Sequence, residues 1–250
     1  MPDLWRVAFL GGVLTMDRSA GWGLMLGQPL VGACLAGAFI QPGTQWELWA
    51  LRIPLGVGVL LQLILTEPSL PAAQRSRDGA TAGVIGASVA LYAMERLHPL
   101  VPISTGGILW VVVGVATGLL AAVGGGWIEA AARRWNGPRA ERADELAREG
   151  RIGAFEALYW GAVVRIFLRG AAWTAIATFV GVTLAATLLP RIAGSITGPR
   201  IGLAFAVLLG MGFGAGYHAH VRGRSRGLRW ATLGALTAIV LLFRIGGGAP

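Results

Sequence analysis

The chain has no lysine, a single cysteine and three histidines among its 250 residues. With Cys34 as its one cysteine, it can form no internal disulfide and no cysteine-based metal cluster. Charged residues are also few, at 13%, whereas 55% of the residues are hydrophobic and the mean hydropathy is +0.65. A soluble domain of this length does not reach that balance. The sequence therefore predicts a protein that lies in a lipid bilayer.

Because lysine is absent, the net charge of +9 comes from arginine alone. Nucleic-acid binding is one possible source of so basic a composition. The arginines lie between the apolar segments, however, where the cytoplasmic flanks of membrane helices carry them, and they are not interleaved with stacking aromatic residues. Membrane topology explains the charge, and we expect no nucleic-acid partner.

Apolar residues form blocks of about 20 residues, the length of a helix that crosses about 30 Å of hydrocarbon. The blocks cover approximately residues 4–16, 21–40, 46–66, 79–94, 106–128, 172–189, 201–217 and 228–243. An amphipathic piece at the interface, from about residue 154, precedes the sixth block. We interpret the first block as a membrane segment and not as a signal peptide. The prediction is an all-α, polytopic integral membrane protein, a single membrane domain over residues 1–250, with about seven to nine transmembrane or partial (re-entrant) helices.

The one long polar stretch, at about residues 129–153, mixes arginines with acidic residues. This mixture favours one or two solvated helical turns over a disordered tail. Because arginine marks cytoplasmic loops, this connection and residues 222–229 should face the cytoplasm, and residues 190–200 the opposite side. One full crossing after residue 154 satisfies that arrangement. We expect a multi-pass protein of the inner (cytoplasmic) membrane.

Glycines recur at four-residue spacing, as at Gly79 and Gly83 and at Gly114 and Gly118. Small residues at this spacing let membrane helices approach closely. The three glycines at 124–126 lack the preceding strand and the following lysine of a nucleotide-binding loop. We therefore interpret the glycines as helix-packing positions. The region around the histidines offers too few ligands for a metal site, and we expect no cofactor and no metal.

Polar residues interrupt the apolar blocks next to glycine, proline or tryptophan. Asp17 closes the first block, Gln28 precedes Pro29 within the second, and Glu47 and Gln62 lie in the third. Pro29 removes a backbone donor and should break the second block. Ionisable groups at membrane depth cost about 2.5–3.5 kcal/mol, so each needs an explanation. Carboxylates and amides can bind paired sugar hydroxyls, and broken helices can bring them together.

Each of these residues also has a purely structural explanation. Asp17 can cap a helix or pair with the neighbouring arginine. Gln28 can satisfy backbone groups that the following proline frees, and Glu47 can be a favourable charge at a helix N-terminus.

A membrane serine protease is an alternative of a different class. In that hypothesis Ser88 or Ser195, each near a glycine, is the nucleophile and His218 the base. Serine beside glycine is common in packed membrane helices, and histidine next to a basic loop is typical of the membrane interface.

Several short motifs occur in a fixed order: 11–12 (Gly-Gly), 16–18 (Met-Asp-Arg), 28–32 (Gln-Pro-Leu-Val-Gly), 46–48 (Trp-Glu-Leu) and 54–56 (Pro-Leu-Gly). Together they resemble the N-terminal signature of the C subunits of mannose/fructose/sorbose-family sugar phosphotransferase permeases. Residues 143–150, followed by the apolar residues 152–168, resemble the cytoplasmic helix of the same family.

The resemblance implies the membrane channel subunit (IIC) of a phosphoenolpyruvate-dependent phosphotransferase system, which binds and translocates a hexose. The implied partners are a homologous IID membrane subunit and soluble IIA and IIB phosphocarrier domains, with assembly into an oligomer in the bilayer. C subunits of this family carry no phosphorylated residue, so we expect no catalytic residues. The substrate-binding residues would be Asp17, Gln28, Glu47 and Gln62. The alternative is a divergent, non-transporting scaffold or sensor that docks the soluble proteins of the system.

Overall fold

The computed structural model describes residues 4–19, 26–40, 47–65, 79–97, 107–192 and 198–221. Within these ranges the chain forms seven α-helices and no strand. They are α1 (Leu4–Ser19), α2 (Pro29–Phe39), α3 (Glu47–Leu65), α4 (Gly79–Leu97), α5 (Ile108–Arg148), α6 (Ile152–Ile192) and α7 (Gly198–Val221). The all-α prediction is confirmed. The last predicted block, residues 228–243, lies outside the described residues.

Among the described helices, three are long and apolar enough to cross a membrane, namely α5, α6 and the first 18 residues of α7. Two more, α2 and residues 51–65 of α3, are apolar but shorter. A bundle of several such helices is a polytopic membrane protein. The short helices agree with the predicted mixture of full and partial segments.

The core of the bundle is α4, whose residues 81–94 are all buried. This helix packs against α1, α2, α3, α5 and α6. A helix that is covered on every face belongs at the centre of a bundle. Many of its residues are glycine or alanine, so the neighbouring helices can approach its backbone closely.

Close packing between α4 and α5 depends on glycine. A Cβ atom added to Gly86 would lie 2.5 Å from the carbonyl oxygen of Gly114, and one added to Gly114 would lie 2.7 Å from that of Gly86. A Cβ on Gly118 would lie 2.9 Å from the carbonyl oxygen of Ala82. No side chain fits between these backbones. The prediction that Gly114 and Gly118 are helix-packing positions is confirmed.

The first helix packs in the same way against α6. A Cβ on Gly11 would overlap the side chain of Thr174, and a Cβ on Gly170 would overlap that of Thr15. Since residue numbers rise along α1 as they fall along α6, the two helices are antiparallel. The Thr15 hydroxyl donates a hydrogen bond of 2.8 Å to the carbonyl oxygen of Gly11, which satisfies it inside the seam.

Helices α5 and α6, each of 41 residues, form a long antiparallel hairpin. Its turn is a Schellman motif, in which Gly150 has a φ of 67°, Gly150 N–H donates to Ala147 O and Arg151 N–H donates to Leu146 O. The left-handed φ favours glycine at this position. The turn reverses the chain within three residues.

The continuity of both helices differs from the prediction. Instead of one or two separate turns, the polar stretch after residue 129 is the second half of α5, and it continues through Pro138 to Arg148. Instead of an interfacial piece followed by a separate span, α6 is one helix. The polar stretch is rich in alanine, arginine and glutamate, which are strong helix formers. Ion pairs one turn apart, Arg133 with Glu129 and Arg142 with Glu145, add support.

Candidate functional site

Three of the four predicted site residues lie at the start of α2. Gln28 is the N-cap residue, with extended backbone angles of φ −84° and ψ 139°, and Pro29 is the first helical residue. Proline suits this position because an N–H there has no helical partner in any case. Within the described residues, 26–28 are not helical and α2 begins at Pro29, as the sequence predicts for this position.

Asp17, near the end of α1, contacts the segment just before α2. Its side chain is buried, with 5% exposed. The carboxylate oxygen Oδ2 accepts a 3.2 Å hydrogen bond from the backbone N–H of Gly27. Negative charge near a helix N-terminus is also favoured by the helix dipole. Asp17 therefore connects the end of α1 to the start of α2.

Gln62 contacts the same region from α3. Its amide oxygen accepts a long hydrogen bond of 3.5 Å from the backbone N–H of Leu30, the second residue of α2. That N–H has no acceptor within its own helix, since the first four N–H groups of a helix lack one. One turn earlier, a Cβ on Gly58 would lie 2.9 Å from the Cα of Leu30, so the two backbones touch.

Helix α4 closes the opposite side of this site. A Cβ on Gly83 would overlap the Pro29 carbonyl oxygen and lie 2.8 Å from its carbonyl carbon. A Cβ on Gly79 would lie 3.1 Å from the proline ring. The Gly79 and Gly83 pair, predicted to mark close helix packing, holds the first residue of α2.

The start of α2 lies at membrane depth. Pro29 contacts Gly83, whose neighbour Ala82 contacts Gly118 on α5. Gly118 precedes Glu129, the first acidic residue of that helix, by 11 residues, or about 16 Å. Backbone N–H groups at such depth have no water to bind and must find partners in the protein. Asp17 and Gln62 are such partners.

The roles of the predicted residues can now be separated. Gln28 does not satisfy backbone groups freed by Pro29, as one structural explanation held. Its side chain makes no capping hydrogen bond and is exposed. Asp17 and Gln62 bind the backbone instead. The exposed side chain of Gln28 therefore has no capping role.

Glu47 does not lie near the start of α2. It is the first residue of α3, 15 residues before Gln62, which corresponds to about 22 Å along the helix. Its side chain lies outside the described residues. The structure thus joins three of the four predicted residues, Asp17, Gln28 and Gln62, at one helix terminus.

The residues of the protease hypothesis do not form a comparable site in the described part of the chain. Ser88 is fully buried in α4, and its hydroxyl has no hydrogen-bond partner there. A serine nucleophile needs a base within hydrogen-bond reach. Ser195 and the side chain of His218 lie outside the described residues. Among the described residues, no three histidine, cysteine or acidic side chains group as metal ligands do.

Sequence reasoning missed the backbone groups of the site. The N–H groups of Gly27 and Leu30 and the carbonyl of Pro29 are its contact points, and Gly58 allows α3 to approach. The sequence did indicate one of these contacts. The four-residue spacing of Gly79 and Gly83 predicts that another helix packs closely against α4, but it does not identify that helix as α2.

Comparison with protein-family models, with curated proteins and with solved structures finds no match for this chain. The site and the bundle around it are therefore the basis for a functional assignment.

Proposed function

We propose that this chain is the membrane channel subunit (IIC) of a mannose-family sugar phosphotransferase system in the inner membrane. The observation that supports it is the convergence of Asp17, Gln28 and Gln62 on a helix terminus inside an apolar bundle. Transporters build substrate sites from such discontinuous helices near the middle of the bilayer. An exposed amide at a helix N-terminus suits a ligand that presents hydroxyl groups.

The three residues have different roles in this proposal. Gln28 contacts the hexose, because its amide can both donate and accept hydrogen bonds with paired hydroxyls. Asp17 and Gln62 hold the start of α2 in place, so they act on the sugar through the position of Gln28. The chain supplies the sugar path with a homologous IID subunit, in an oligomer. Soluble IIA and IIB domains supply the phosphoryl group.

The test is hexose phosphorylation by membranes that contain the chain, a IID partner and the soluble phosphocarrier proteins, with phosphoenolpyruvate as donor. Losing one hydrogen bond to the sugar costs about 1–1.5 kcal/mol, so Gln28→Ala should raise the KM for hexose about tenfold. Asn136→Ala is the matched control, because Asn136 is an exposed amide on α5 far from α2. Equal KM values for both variants would remove Gln28 from the site.

Glu47 remains a predicted substrate-binding residue, and Glu47→Ala tests it separately. Because Glu47 begins α3 far from Gln62, a raised KM in this variant requires a sugar path that extends along α3. Unchanged hexose phosphorylation would restrict the site to the start of α2.

A second candidate function is a scaffold or sensor that docks the soluble phosphotransferase proteins without transporting sugar. The observation that favours it is the α5–α6 hairpin, which extends about 27 Å beyond the residues where the apolar halves of both helices end. Binding of IIA or IIB to vesicles that carry the chain, with no hexose phosphorylation, would select this function. Hexose phosphorylation that depends on the chain would reject it.

A further inference from the structure

An ion pair between α5 and α6 shows where the hairpin leaves the hydrocarbon layer of the membrane. Arg169 Nη2 lies 2.5 Å from Glu129 Oε2, and both residues stand where the apolar halves of their helices end. The apolar half of α5, residues 108–128, is about 31 Å long, which matches the hydrocarbon layer. The ion pair therefore marks one edge of the hydrocarbon, and the hairpin beyond it enters the headgroup layer.

A groove of 240 Å³ lies between the two helices beyond this level. Its floor is apolar and includes Phe155, Leu158 and Ala162 of α6. Two guanidinium groups flank it, Arg139 from α5 and Arg165 from α6. A groove with an apolar floor and cationic sides fits a ligand that is both anionic and amphiphilic.

The two arginines of the groove lack acidic partners among the described residues, unlike several others of the hairpin. Arg133 and Arg169 pair with Glu129, Arg142 pairs with Glu145, and Arg151 with Glu149. Arg139 has only a long contact of 3.5 Å with the amide oxygen of Asn136.

Both unpaired guanidinium groups can reach the depth of lipid phosphates. The headgroup layer extends about 5–8 Å beyond the hydrocarbon. Arg165 is four residues from Arg169, so it lies about 6 Å beyond the ion pair. Arg139 is ten residues from Glu129, about 15 Å beyond it, and its long side chain can extend back toward the membrane.

The side of α6 below the groove continues into the bilayer as an apolar surface. Leu168 lies one turn from Arg165 on the same face and is 58% exposed. Farther along the same face, on the hydrocarbon side of Arg169, Ile176 is 59% exposed and Phe179 56%. A lipid with its phosphate at Arg165 can place an acyl chain along Leu168.

We propose that this groove binds an anionic phospholipid, with its phosphate between Arg139 and Arg165 and an acyl chain along the exposed face of α6. The two guanidinium groups attract the phosphate, while the apolar floor can pack against the upper part of the lipid. A planar guanidinium can bind two phosphate oxygens at once. The proposal does not depend on sugar transport, since it uses residues of the hairpin alone.

The test measures lipid binding to the purified full chain by native mass spectrometry in detergent, with phosphatidylglycerol and phosphatidylcholine as probes. The wild type should bind phosphatidylglycerol in preference to phosphatidylcholine. The double variant Arg139→Gln/Arg165→Gln should bind phosphatidylglycerol about thirty-fold more weakly. Both arginines are exposed, so the substitutions leave the bundle folded, which circular dichroism checks.

The matched control is Arg134→Gln/Arg148→Gln, which removes the same charge from exposed arginines of α5 that do not line the groove. It should retain phosphatidylglycerol binding. An equal loss in both double variants would overturn the proposal, because attraction would then come from net charge. Equal binding of phosphatidylcholine would overturn it as well. Inorganic phosphate at millimolar concentration should not compete, and full competition would identify the site as one for free phosphate and reject the lipid.

Discussion

Glu129 and Arg169 join the two longest helices through a contact of 2.5 Å between Oε2 and Nη2. They are 40 residues apart in the chain, and both side chains are largely buried, with 23% and 21% exposed. Glu129 also accepts a hydrogen bond of 3.1 Å from Arg133, one turn along α5. The Glu129 carboxylate thus binds one arginine on α6 and another on its own helix, α5.

The contact between helices should contribute much more to stability than the contact within α5. A double-mutant cycle of Glu129→Ala and Arg169→Ala should give a coupling energy of about 2 kcal/mol, between the values for exposed and buried pairs. The measurement is the free energy of unfolding in detergent micelles.

The control cycle pairs Glu129→Ala with Arg133→Ala. Arg133 is 48% exposed, so its coupling energy should be below about 0.5 kcal/mol. Coupling energies of the same size in both cycles would contradict a special role for the contact between α5 and α6.

Gly83 should be among the least replaceable residues of the bundle. A Cβ there would overlap the Pro29 carbonyl oxygen, a backbone atom that cannot move without moving α2. We expect Gly83→Ala to lower the free energy of unfolding by about 1–3 kcal/mol. Gly137→Ala, in α5 with no heavy atom within 4 Å of the added Cβ, should raise it by up to about 1 kcal/mol. If both substitutions changed the free energy of unfolding in the same direction, the contact with Pro29 would not be what restricts position 83 to glycine.

Ser88 gives a prediction that separates packing from catalysis. Its hydroxyl is fully buried and has no partner among the described residues, so it is a desolvated polar group. We expect Ser88→Ala to leave the free energy of unfolding unchanged or to raise it by about 1 kcal/mol. Thr15→Val is the contrast, because it removes a hydroxyl that donates to Gly11 O, and it should lower stability. Loss of a proteolytic activity in Ser88→Ala would instead support the protease hypothesis.

Local chemistry made the helix break and the glycine contacts predictable. Gln28-Pro29 predicted the start of α2 because proline acts on the backbone next to it. Gly114 and Gly118 predicted close packing because the spacing of small residues places them on one helix face. In both cases the feature depends on residues within one or two helical turns of each other, so it can be seen in the local sequence.

The contacts of the site and the length of the hairpin could not be predicted in the same way. The bond from Gly27 to Asp17 and the bond from Leu30 to Gln62 depend on how three helices meet, which neither composition nor spacing encodes. Hydropathy placed a boundary at residue 129 because polarity changes there. The backbone of α5 continues because alanine, arginine and glutamate favour a helix in water as well.

The direction of α6 can be tested by labelling single cysteines. Helix α6 is long and apolar enough to cross the bilayer between the hairpin turn and the start of α7, so we expect Glu149 and Gly198 on opposite sides. In a Cys34→Ala background, Glu149→Cys and Gly198→Cys place one thiol at each end, both at exposed positions. A membrane-impermeant maleimide is then added to intact cells and to inverted membrane vesicles. The arginine distribution predicts that the hairpin is cytoplasmic, so Glu149→Cys should react only in inverted vesicles and Gly198→Cys only in intact cells. Labelling of both from the same side would mean that α6 does not cross the membrane.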